Sequence, residues 1–93
     1  MRKGSPKFLQ PSDVAPVMNA VKKYIPMDVP LMYGHGQSLK HVPHFRLKGV
    51  THEIAWTVDI YRGNFYNVQI DGWSEQFKSI PSLVSFLWKR LEV

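Results

Sequence analysis

The chain has 93 residues, enough for one domain around one modest core. A hydrophobic content of 44% excludes a disordered chain, and the absence of cysteine excludes disulfides, thiolate metal sites and a cysteine nucleophile. The net charge of +5 is uneven: residues 1–50 hold eight basic groups against Asp13 and Asp28, whereas residues 51–93 hold four against five acids, a bias that suits an anionic partner.

Residues 1–11 read as a basic arm broken by Gly4, Pro6 and Pro11, and residues 12–93 as the single domain. Phe8 and Leu9 are the arm's candidates for docking on the body. No apolar run follows the first charges, so no secretory signal is expected, and no stretch approaches the roughly 20 apolar residues of a membrane span. With no cysteine, the expected setting is cytoplasmic. Residues 12–24 predict a helix, because Val14, Val17, Met18, Val21 and Ile25 recur at three-and-four spacing. Ser12 or Asp13 would cap it, Pro16 would fall in its first turn, and Lys22 and Lys23 would complement the dipole at its end. Residues 27–43 predict an irregular connection with at most a short strand over 31–33, since the stretch from Ile25 to Pro43 holds three prolines and two glycines.

From His44 the apolar spacing changes to two. Phe45 and Leu47 alternate with His44, Arg46 and Lys48. Ile54, Trp56, Val58 and Ile60 then oppose Ala55, Thr57, Asp59 and Tyr61, and Tyr66, Val68 and Ile70 oppose Phe65, Asn67 and Gln69. These are three half-buried antiparallel strands. A three-residue loop, Arg62-Gly63-Asn64, pairs Tyr61 with Phe65, Ile60 with Tyr66, Val58 with Val68 and Trp56 with Ile70. A two-residue loop would put apolar residues opposite polar ones, so the longer loop is predicted. The last element is a helix capped by Ser79, with Pro81 in its first turn and Ile80, Leu83, Val84, Leu87 and Leu91 as its apolar stripe. The predicted fold is α+β: helix, three-stranded antiparallel sheet, helix, with both helices on one sheet face and the other face open.

That open face carries the most informative chemistry. Tyr61 and Phe65 could stack nucleotide bases while Arg46, Lys48 and Arg62 bind phosphates, and Lys22, Lys23 and Lys40 would extend the basic surface. A cross-strand aromatic pair that only stabilises the hairpin is the competing account of the two rings. His35, His41, His44 and His52 lack the cysteine, carboxylate or helical His-Glu-x-x-His context of a metal site. Gly34-His35-Gly36 lacks the strand-to-helix frame of a phosphate loop. No nucleophile elbow or paired-carboxylate pattern occurs, so neither catalysis nor a cofactor is expected. Trp56, Tyr66, Trp73, Phe77, Phe86 and Trp88 are expected mostly in the core, with Trp88 against the 27–43 segment; the alternative is that Phe86 or Trp88, flanking the apolar stripe, is exposed beside Lys89 and Arg90 as a protein-interface anchor.

The element order, together with "VPHFRLKGV" as a first strand, resembles the double-stranded-RNA-binding domain, which implies contact with duplex RNA. The start of the last helix, "FKSIPSLV", offers only Lys78 where that family uses several lysines. The segment "NFYNVQIDGWSEQFKSIPSLVSFL" is similar to the closing strand and helix of SH2 domains, which implies recognition of a peptide. No residue roles are carried over from either. Two functions are therefore expected for a non-enzymatic binding domain. One is nucleic-acid binding through the basic half and the open sheet face. The other is protein binding, as an inhibitor or adaptor of the phage-type host-modifying or immunity-like kind.

Overall fold

The structure, a computed structural model, describes residues 9–37 and 43–93. Helix α1 (Pro11–Tyr24) is followed by strands β1 (Met32–Gln37), β2 (Pro43–Thr51), β3 (Ile54–Tyr61), β4 (Phe65–Ile70) and β5 (Trp73–Phe77), and by helix α2 (Ile80–Arg90). The strands form one antiparallel sheet in the order β1-β2-β3-β4-β5. This corrects the expected three-stranded sheet, which gains a strand at each edge.

Each extra strand has its own physical cause. In β1, Gly34 and Gly36 erase any apolar alternation, so nothing local marks a strand. Extension there is imposed by pairing, with Tyr33 opposite Leu47 and His35 opposite Phe45. In β5 the alternation of Trp73, Glu75 and Phe77 is interrupted by a charge. The preceding turn does carry a signal: Asp71 and Gly72 have φ of 48° and 83°, the paired positive values of a two-residue hairpin turn. The predicted β3–β4 register is the one observed, and Gly63 and Asn64 supply its left-handed turn at φ 82° and 59°.

Helix α1 starts one residue earlier than predicted. The Gln10 backbone N–H donates to Asp13 Oδ2 at 2.9 Å, so Asp13 braces the start from inside the first turn rather than capping it. Pro16 consequently lies in the second turn, where it forfeits a helical hydrogen bond. Ser79 does cap α2, its Oγ accepting from the Ser82 N–H at 3.3 Å.

Both helices cover the same sheet face. Val17 and Val21 of α1 and Leu83 and Leu87 of α2 join Leu47, Trp56, Val58, Ile60 and Val68 in one buried cluster, together with Leu9 just ahead of α1. Inside it, the Trp56 indole N–H donates to Thr51 Oγ1 at 3.0 Å, and the Thr51 hydroxyl donates to the Pro26 carbonyl. Two of the expected core tryptophans are not there. Trp73 is 53% and Trp88 49% exposed, Trp73 because it ends an edge strand, where the Arg90 guanidinium lies 4.5 Å from its ring centroid. No helix among the described residues is long and apolar enough to cross a membrane.

Candidate binding interface

Strand alternation sends Arg46 and Lys48 of β2, Asp59 and Tyr61 of β3 and Phe65 of β4 to the face away from the helices. Arg46 and Asp59 are directly opposed across the ladder. Arg46 Nε donates to Asp59 Oδ1 at 2.6 Å and Nη2 to Oδ2 at 3.0 Å, a two-point clasp. The carboxylate side of the pair is 3% exposed and the guanidinium side 41%. The bond to Asp59 raises the Arg46 pKa above its ordinary value in spite of partial burial. The charge of Arg46 is thus largely answered within the protein, which weakens it as a phosphate ligand.

Tyr61 and Phe65 meet at the hairpin end with centroids 5.7 Å apart, and the His44 ring lies 5.4 Å from Tyr61. Burial pushes the Tyr61 phenol above its usual pKa, helped by the Asp59 charge and opposed by Arg46. Burial does the same to Tyr66 on the helix-covered face. In each case the folded state holds the phenolic proton longer than the unfolded chain does. The stabilisation is therefore full below about pH 10 and is lost as the pH rises through the higher folded-state value. Urea midpoints measured from about pH 8 to 11 should fall for the wild type and fall less steeply for Tyr66→Phe. An unchanged slope in the variant would remove Tyr66 from this account.

The predicted phosphate ligands do not form one surface. Arg46, Lys48, Tyr61 and Phe65 share the sheet face that neither helix covers, and Arg62 lies in the β3–β4 turn at its end. Lys22 and Lys23 are exposed in the last turn of α1, in the helical layer, with Lys23 Nζ 5.3 Å from the Tyr24 ring centroid. Lys40 and His41 lie outside the described residues. His35 packs edge-on against Phe45 on the helix side of β1, whereas His44 is on the opposite face. His52 is in the β2–β3 turn, so these three histidines do not converge.

Two features of the surface are not placed by the sequence, although an exposed Trp88 is one of its alternatives. One is a shallow apolar groove of about 240 Å³ where Tyr24 of α1 meets Val84 and Trp88 of α2. The other is β1 itself, an edge strand with a cavity on each side. On the helix side a cavity of about 320 Å³ is lined by Leu9, Val14, Met18, His35 and Phe45. On the open side one of about 240 Å³ is lined by Met32, Gly34, Arg46 and Lys48. Met32 and Tyr33 are 64% and 61% exposed. Natural sheets usually blunt an edge with charge, proline, shortness or a covering element. At the far edge β5 has five residues, and Glu75 points toward the helix side opposite Val68. β1 has six residues, no charged side chain and no proline. The missed residues are therefore Met32, Tyr33 and Gly34. The short strand expected over 31–33 touches this segment, but nothing in the sequence marks it as a sheet edge.

Compared with known proteins, the chain matches no family model, no curated protein and no solved structure.

Proposed function

We propose that this protein is a non-enzymatic binding domain that captures a protein partner, acting as an inhibitor or adaptor in a cytoplasmic setting. The observation that carries the reading is the β1 edge, which ends the sheet without charge or proline while β5 is blunted. An edge of this kind presents a row of backbone donors and acceptors to an extended chain. Hydrogen bonds from a ladder give affinity with little specificity, and the flanking cavities would supply the latter.

The test is capture from a lysate with and without nuclease, repeated with Tyr33→Pro and Gly34→Pro. Successive residues of a strand turn their N–H groups to opposite sides, so one of these variants removes a bond to β2 and the other a donor at the edge. The variant that keeps the wild-type melting temperature is the edge probe. A protein band that survives nuclease and is lost with that variant supports the reading. Its retention by the edge probe overturns it.

The Tyr61–Phe65 ring pair on the sheet face away from the helices, with Lys48 further along the same face, favours a second reading: weak binding of single-stranded nucleic acid. In that case affinity for a labelled oligonucleotide falls steeply with salt and drops on Tyr61→Ala and Lys48→Ala. Arg46 contributes less there than its position suggests, since Asp59 holds it.

A further inference from the structure

The chemistry of the partner strand can be read from what flanks β1. We infer that β1 accepts an extended acidic segment of the partner protein as a sixth strand, with acidic side chains on the open face alternating with apolar ones on the helix side. The inference rests on the protein-binding reading above. A strand added beside β1 would turn successive side chains to opposite faces. Those turned to the helix side meet the cavity lined by Leu9, Val14, Met18 and Phe45, which is apolar. Those turned to the open side meet the cavity of Arg46 and Lys48. The two glycines of β1 matter here. Gly34 lies opposite Arg46, and a Cβ built on it would find nothing within 4 Å. No β1 side chain at that position therefore screens Arg46, whose charge Asp59 largely answers, and Lys48, opposite Met32, supplies the attraction for a carboxylate arriving at the edge.

Charge also selects among occupants. A second copy of this chain would bring an uncharged β1 and a further pair of cations to the same edge, and would add +5 to +5. Like charges disfavour that association, while a carboxylate beside Lys48 is attracted. An acidic strand satisfies both the ladder and the field; a second copy satisfies only the ladder.

The probe is a fluorescein-labelled heptapeptide alternating Glu and Leu, titrated by fluorescence polarisation against the full chain. Replacing each Glu by Gln should weaken binding about tenfold, and Lys48→Glu should do so comparably. Ala15→Trp, on the exposed side of α1 where it borders the apolar cavity, should also weaken binding without changing the melting temperature. Two further forms of the peptide carry N-methyl groups on alternate residues, at odd or at even positions. A strand pairs along one side only, so one form should lose binding and the other keep it.

Equal binding of both N-methylated forms, or no binding of the acidic peptide, overturns the inference. If a Lys-Leu peptide binds as well as the Glu-Leu one and is still sensitive to N-methylation at one set of positions, the acidic assignment fails while the protein-binding reading stands. If sedimentation velocity shows a dimer that the edge-probe proline variant dissociates, the occupant is a second copy and the inference falls. The β1 edge as the capture surface fails separately, if a captured partner is not disturbed by the edge probe.

Discussion

Gly49→Ala is expected to destabilise the fold by about 3 kcal/mol, the upper end of what overpacking a core costs. Gly49 lies opposite Trp56 across the β2–β3 ladder. A Cβ added there would run into the indole at Cζ2, Cε2 and Cη2. The ring has little room to retreat, because Trp56 is 2% exposed and its N–H is tied to Thr51, which is tied in turn to the Pro26 carbonyl. The backbone conformation is not the reason: Gly49 is absent from the positive-φ glycines, so alanine suits its dihedrals and only the contact is at stake. Urea unfolding of the variant checks this. A loss below about 1 kcal/mol would mean that the indole yields and that the glycine is not needed for packing.

Arg46→Leu should cost about 2 kcal/mol, and the double variant Arg46→Leu/Asp59→Val much less. Removing the guanidinium strands the Asp59 carboxylate, which is 2% exposed. Breaking a fully buried pair costs about 3–5 kcal/mol, but the guanidinium side is 41% exposed, so water screens part of the loss. Taking away both charges leaves two apolar side chains opposed in register on a strand pair, an arrangement sheets favour. Denaturant midpoints of the two single variants and the double close a thermodynamic cycle. The account is sunk if the double variant is no more stable than Arg46→Leu. The outcome also bears on function, since a clasp worth this much keeps Arg46 from serving as a mobile phosphate ligand.

These two pairs show how unevenly structure was legible in the residues. The β3–β4 hairpin could be placed to the residue, because only one loop length keeps Trp56, Val58 and Ile60 opposite Ile70, Val68 and Tyr66. Helix α2 was equally plain, since its cap, its early proline and its apolar stripe agree. In contrast, β1 has neither period nor propensity, and in β5 only the turn before it, Asp71-Gly72, is marked in the residues. The candidate surface divided in the same way. Tyr61 and Phe65 could be seen to share a face, but that Asp59 would occupy Arg46 depended on how β2 aligns with β3. Lys22 and Lys23 share the basic half of the chain with Arg46 and Lys48, but folding puts them in different layers.

The order of side chains alone settled which residues turn inward and how the central hairpin aligns, because alternation and turn length are local properties of a chain. How wide the sheet grows, and that Met32 to Gly34 lie at its rim between an oily hollow and two cations, came only with assembly. A glycine-rich stretch has no preference of its own and becomes a strand when a neighbour offers hydrogen bonds along its length.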